Sequence, residues 1–261
     1  MRTQTELVKL FYKHIIPIGF RCDKTGKPLH TFIVTSFVMS VAGKWFLITA
    51  GHCLRDIEAN IIGDGYTISQ CHLIDYIGLD ATHKKPIPFD FLNARYEYCD
   101  VEGFDYGIIF ITDYYKALLE RNNIHPLNEE VWKKQRTKVD FYMLLGVPSE
   151  LTKIDNNMNV QFMPSMYSVE PIDERPEGFP ETDAPVFYGK VIIEGGVSRI
   201  EGMSGGPIFG FHEDEKGQLK YWLIALQSSW LPEAHFIKAC RTSLFGLFLE
   251  EMVVKMKSGQ S

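Results

Sequence analysis

Short runs of β-branched and aromatic residues recur along this chain, each closed off by glycine, proline, asparagine or aspartate, and that rhythm restricts it to a largely β architecture. Residues 31–40 form one such run, Ala42-Gly43-Lys44 supplies a turn, and residues 45–49 form a second apolar run, so the three read as a hairpin. A strand punctuated by Pro17 and Gly19 is predicted over 14–20, with others over 67–75, 106–112, 138–147, 159–167, 186–193, 206–211 and 219–228. Strands this short and this closely spaced fit a sandwich or barrels. Residues 4–13 read as a short helix. Phe245, Phe248, Leu249, Met252, Val253 and Met256 recur at helical spacing and give a C-terminal helix over about 240–257 one apolar face, with which it docks on the body. The mixed, charged and partly helical segment 113–138 interrupts the strand rhythm and reads as a connector between two β units. Residues 170–185, with four prolines and six acids, read as an exposed loop beside a cleft.

With 261 residues and 45% hydrophobic content, the chain can bury a large core, as one large domain or two small joined ones. Its 27 basic and 33 acidic residues leave a net charge of −6 without any dense Lys/Arg run, which argues against nucleic acid or an anionic membrane as a partner. No stretch is long and apolar enough to cross a bilayer, since even Val34 to Val41 soon meets Lys44. Glu6, Lys9 and Lys13 interrupt the region where a signal peptide needs an unbroken apolar core, so residues 1–20 are expected to belong to the mature protein. Five cysteines (Cys22, Cys53, Cys71, Cys99 and Cys240) are an odd and sparse set for a secreted disulfide scaffold, and read as reduced thiols of a cytoplasmic protein. None forms a C-x-x-C pair. A zinc site would need scattered ligands such as Cys71 and His72, and neither a metal nor an organic cofactor is expected.

The chemistry concentrates at Glu201-Gly202-Met203-Ser204-Gly205-Gly206-Pro207, where glycines and a proline crowd one serine between two strand-like runs. Glycine permits tight turns and close approach of a substrate carbonyl to the main chain. The Gly202 and Ser204 amides would then converge on one point, as donors that stabilise an oxyanion do. Ser204 becomes a nucleophile if a base is near. Of eight histidines, His52 stands just past the apolar strand in Phe46-Leu47-Ile48-Thr49-Ala50-Gly51-His52-Cys53, where a rigid scaffold can present it. His14, His30, His72, His83, His125, His212 and His235 lie in polar or turn-like surroundings that suit solvated or structural roles. A carboxylate must orient that imidazole. Asp105 opens the buried-looking run Tyr106-Gly107-Ile108-Ile109-Phe110-Ile111, and Asp100 and Asp113 are fallbacks that lead into no such run.

Thr49-Ala50-Gly51-His52-Cys53, Asp105-Tyr106-Gly107-Ile108-Ile109 and Gly202-Met203-Ser204-Gly205-Gly206-Pro207 resemble the three signatures of trypsin-like serine proteases, in the same order along the chain. Val34-Thr35-Ser36-Phe37-Val38 is similar to a strand of many bacterial members, so the resemblance spans about 14 to 230. It implies an all-β fold of two six-stranded antiparallel barrels in a single domain over 1–261, the first barrel about 14–125 and the second about 138–235, with the C-terminal helix appended. It also implies an endopeptidase in which His52, Asp105 and Ser204 form the triad and a protein or peptide is the substrate. By the same pattern Ser198 would lie near the base of the primary specificity pocket, favouring a neutral or apolar residue there. Ser228, Ser229 and Trp230 would form the pocket edge that pairs with substrate backbone. Two departures stand out. No cysteine in residues 31–40 is available to pair with Cys53, and Met203 occupies the place where secreted zymogens carry the aspartate that captures a new N-terminus. Activation by that ion pair is excluded, and an activating protein partner or a loop is a candidate substitute.

Two rival readings remain. Gly202-Met203-Ser204-Gly205-Gly206 also satisfies the G-x-S-x-G nucleophile elbow of esterases and lipases, but an elbow requires a helix after the serine and its acid and histidine later in the chain. The other rival is a trypsin-like module that has lost catalysis and acts by binding.

Overall fold

The computed structural model describes residues 4–75, 86–133, 138–155, 160–193 and 198–257. Asn159 and His83, and the side chain of Met256, lie outside that description. Helix α1 (Gln4–Phe11) is followed by β1 (Ile18–Asp23), β2 (His30–Val34), β3 (Phe37–Val41) and β4 (Lys44–Thr49). Helix α2 (Gly51–Asp56) continues into a π-helical turn over Ile57–Ile62. Strands β5 (Thr67–Leu73), β6 (Ile87–Pro88), β7 (Tyr96–Val101) and β8 (Phe104–Ile111) complete the first half. Helices α3 (Asp113–Arg121) and α4 (Glu129–Trp132) form the connector. The second half comprises β9 (Phe141–Gly146), β10 (Thr152–Ile154), β11 (Val160–Phe162), β12 (Ser165–Ile172), β13 (Phe187–Ile192), β14 (Pro207–Glu213), β15 (Leu219–Leu231) and β16 (Phe236–Arg241), before helix α5 (Thr242–Lys257).

The two halves close differently. In the second, β12-β13-β16-β15-β14-β9 form a closed barrel filled by Leu144, Val169, Val191, Ile208, Ala225 and Ile237. The first half departs from the expected second closed barrel: its described strands form two four-stranded sheets, β2-β1-β5-β6 and β3-β4-β8-β7, packed around Ile18, Phe20, Leu47, Leu54 and Ile109. The reason lies at Thr35 and Ser36. The run predicted as one strand over 31–40 breaks there, because both hydroxyls bond to main chain elsewhere, Ser36 Oγ to the Ile16 carbonyl and Thr35 Oγ1 to the Gly202 carbonyl.

The predicted hairpin is present as β3 and β4, with Val41 facing Lys44 across Ala42 (φ 47°) and Gly43 (φ 80°). Positive φ at both turn residues gives the twist that a two-residue hairpin needs. Sequence reasoning missed β7, whose residues are mostly half-buried, and β16, which closes the barrel beyond the expected boundary at about 235 and includes the buried Lys238. The stretch 159–167 contains parts of two strands, β11 and β12, instead of one. Helix α5 buries Phe245, Leu249, Met252 and Val253 in a cluster shared with Phe11 of α1, Phe46 and Ile108 of the first half, and Phe209 and Leu223 of the second. This apolar seam holds the halves together. Among the described residues no helix is long and apolar enough to cross a membrane.

Candidate active site

The cleft between the halves collects side chains from four elements. His52 lies in the first turn of α2, where main-chain amides lack intrahelical acceptors. Asp105, the second residue of β8, supplies one: its Oδ1 accepts from the His52 amide at 2.9 Å while its Oδ2 accepts from His52 Nδ1 at 2.7 Å. The close approach depends on Gly51, since a Cβ there would lie 2.0 Å from the Cys99 carbonyl oxygen of β7. Ser228 Oγ, from β15 of the other half, donates to the same Asp105 Oδ2. Asp105 is only 7% exposed, so each of these donors offsets the cost of burying its charge.

Burial would raise the Asp105 pKa, but the donors from His52 and Ser228 outweigh it and hold the carboxyl below its ordinary range. For His52, burial disfavours the imidazolium, yet the bond to Asp105, with Cys53 adding to it, raises the pKa above 6.5. An Nδ1–H donated to Asp105 makes Nε2 the basic nitrogen of the ring, with the Cys53 thiol as its hydrogen-bond partner. Cys53 Sγ lies 3.6 Å from that Nε2. Asp100 instead pairs with Arg55, and Asp113 lies exposed 3.7 Å from Lys44.

The serine loop is held through its main chain. Gly202 and Gly205 adopt φ of 87° and 89°, and a Cβ would lie 2.4 Å from Ser149 Oγ at the first and 2.4 Å from Thr49 Oγ1 at the second. Three successive carbonyls are tied down: Glu201 accepts from the Ser149 amide at 2.7 Å, Gly202 from Thr35 Oγ1 at 2.6 Å, and Met203 from the Gly206 amide at 2.8 Å. In a trans peptide the N–H points opposite to the C=O. Fixing the Glu201 and Met203 carbonyls therefore sets the directions of the Gly202 and Ser204 amides, neither of which donates to a protein acceptor among the described residues. Met203 is fully buried in the barrel core and packs on Gly146. Apolar burial, on the order of 2 kcal/mol for a side chain of this size, anchors the loop at this position.

Ser204 lines one cavity with His52 and Gly202, and its Oγ donates to the Ser228 carbonyl at 3.4 Å. Among the described residues no hydrogen bond joins Ser204 to His52. Ser198, expected at the base of a specificity pocket, is exposed and bonded to Glu150, its Oγ to Oε1 at 2.7 Å and its amide to Oε2 at 3.0 Å. Trp230 is half-buried further along β15, with its ring 6.5 Å from that of His235. The structure thus gathers His52, Asp105, Ser204, Gly202 and Ser228. Sequence reasoning did not find the Ser228–Asp105 bond, or the Thr35 and Ser149 anchors of the serine loop. For Ser228 a signal exists: it lies two residues past the apolar run Tyr221 to Leu226, as Asp105 lies just before one. All five cysteines are unpaired.

No family model and no curated protein matches the chain. Among solved structures it is similar to the scabies mite inactivated protease paralogue S-I1, at 14% identity and a TM-score of 0.54, over 95% of this chain and 96% of that one. The protease Anisep from Arthrobacter nicotinovorans matches at 15% identity and a TM-score of 0.46, over 88% of this chain and 90% of that one. Catalytically inactive tobacco etch virus protease complexed with substrate matches at 11% and 0.43, over 92% and 86%. At such identities the likeness is one of fold: the chain has the chymotrypsin-like fold of proteases.

Proposed function

We propose that this chain is a trypsin-like serine endopeptidase, a single catalytic unit that acts in a reducing, cytoplasmic compartment and needs no metal or organic cofactor. The observation that supports this most directly is the combination of an Asp105-held imidazole with a serine loop whose tied carbonyls leave the Gly202 and Ser204 amides free. Ser204 Oγ attacks the carbonyl carbon of a peptide bond while its proton passes to His52 Nε2. The carbonyl electrons move onto oxygen, and the two amides stabilise the oxyanion. When they return, the C–N bond breaks, Nε2 gives its proton to the departing amine, and an acyl ester remains on Ser204. Water then attacks that ester, loses a proton to Nε2, and releases the acid as Ser204 regains the proton.

One observation favours a second reading. Ser204 Oγ donates to the Ser228 carbonyl and not to Nε2, as in a module that is latent until substrate or an activating protein turns the hydroxyl. Labelling with a fluorophosphonate, with Ser204→Ala as the control and intact mass as the readout, separates the two. A single adduct lost in the variant supports the peptidase. An unmodified wild-type protein supports the latent module.

A further inference from the structure

Strands β7 and β8 are joined by a two-residue turn, Glu102-Gly103, between the paired Val101 and Phe104. Of these two residues only Gly103 has a positive φ, 85°, whereas both residues of the β3–β4 turn do. A two-residue turn of the former kind does not match the twist of its strands, so this end of the hairpin needs support from outside. Charge adds to that need. Asp100 lies directly opposite Asp105 in the register, and like charges opposed across a strand pair repel. The hairpin must nevertheless hold still, because Asp105, just beyond the turn, carries the bonds to His52.

The support comes from the barrel. Thr182 Oγ1, in the connection between β12 and β13, donates to the Glu102 carbonyl at 3.2 Å. The absence of a side chain at Gly103 lets that connection close in, since a Cβ there would lie 2.5 Å from the Ala184 Cβ. Lys238 of β16 grips the turn by charge: its Nζ donates to Glu102 Oε1 and lies 5.9 Å from the centre of the buried Phe179 ring. Lys238 is only 6% exposed, and an ammonium so buried requires a paired anion. It faces Ser229 across the β15–β16 pair, next to the Ser228 that donates to Asp105. One strand pair of the barrel thus holds the hairpin at two points, its tip and its carboxylate.

We infer that Lys238 is a positioning residue: its ion pair with Glu102 fixes the β7–β8 turn against the barrel, and through that turn places the Asp105 carboxylate where His52 and Ser228 meet it. The effect on turnover rests on the peptidase reading, while the effect on the Asp105–His52 bond does not.

The test uses three variants. Lys238→Met removes the ammonium and leaves Glu102, whose side chain is 36% exposed, within reach of water. Glu102→Gln alone would strand a buried ammonium, so it is made only together with Lys238→Met, which restores the charge balance without the tie. Lys238→Arg keeps the tie. The first readout is the exchange with water of the His52 Nδ1 proton by NMR, its signal assigned by its loss in Asp105→Asn. Exchange should be at least about tenfold faster in Lys238→Met and in the double variant and close to wild type in Lys238→Arg, with the amides of β4 and β14 as protected as before. An unchanged His52 proton, or an equal acceleration of those amides, would overturn the inference. The second readout is turnover of a peptide substrate. In Lys238→Met and the double variant kcat should fall about tenfold to a hundredfold with little change in KM, as for a small misplacement of a catalytic group. Wild-type kcat in the double variant would mean that the pair only balances charge, and would overturn the positioning role. A wild-type protein that takes up no fluorophosphonate counts against the peptidase reading alone, and proton exchange still decides what Lys238 does.

Discussion

The two halves contribute to the cleft by different means. The first, built from two open sheets, holds its catalytic candidates through side chains: the Asp105 carboxylate receives the amide and the ring of His52. The second, a closed barrel, presents Ser204 through main chain: three carbonyls are fixed and two amides are left free. Each half also reaches into the other. Ser228 of the barrel completes the Asp105 shell, and Thr35 of the first half holds the Gly202 carbonyl. A side-chain device depends on one charge and is sensitive to pH. A main-chain device depends on peptide orientation, and should respond to the residues that pin it.

Breaking the side-chain device should have the largest effect. In Asp105→Asn the amide group would donate where the carboxylate accepts, so His52 would turn its other tautomer to the cleft. A loss of about 10⁴ in kcat at neutral pH is expected, as for triads in general. Full activity would remove Asp105 from the mechanism and turn attention to Asp100, which lines one pocket with His52 and Asp105.

Loosening the main-chain device should cost less and leave a different signature. Thr35 is fully buried, and its hydroxyl both donates to the Gly202 carbonyl and accepts from the Val147 amide at 3.2 Å. Thr35→Val keeps the shape and deletes both bonds, freeing the Gly202–Met203 peptide that lies between the two peptides whose amides point into the cleft. Oxyanion donors act on the transition state, so kcat should fall about tenfold to a hundredfold while KM changes little. Thr35→Ser should restore it. A matched rise in KM with kcat unchanged would mean that Thr35 shapes the substrate groove and not the oxyanion donors.

The legible part of this molecule was local. Glycines crowding Ser204, an apolar strand running into His52 and another running out of Asp105 are all patterns within a few residues, and their strands and turns follow from the same short-range chemistry. The supporting contacts were not legible because they join distant positions. Ser228 and Asp105 are 123 residues apart, and Thr35 and Gly202 are 167 apart. Nothing in the sequence near Thr35 announces that its hydroxyl will end a strand and hold a loop of the other half. The division of the first half's described strands into two sheets was equally hard to foresee, since the break between β2 and β3 at Thr35 and Ser36 involves the bond from Thr35 to Gly202. Met203 illustrates the converse. Its identity excluded one way of ordering the loop, and only the barrel core shows what replaces it.

The smallest effect should come from the contact that crosses from the barrel to the carboxylate. Ser228→Ala removes one donor from Asp105 and leaves both His52 bonds in place. A hydrogen bond to a charged group contributes about 1.5–3 kcal/mol, but the cost to the rate should be less because His52 still orients the carboxylate, so roughly a fivefold loss in kcat/KM is expected. The sign of the pH response is more informative than its size. In the proposed mechanism the reactive form is the neutral imidazole, and its pKa is raised in the native protein, so kcat/KM should climb with pH through an inflection above 6.5. Without the Ser228 donor the Asp105 charge is less dispersed and attracts the imidazolium more strongly, which should move that inflection further up. An inflection that moves down would mean that Ser228 acts on the imidazole by holding its position and not by sharing the charge of Asp105, and the barrel's contribution to the side-chain device would then be geometric.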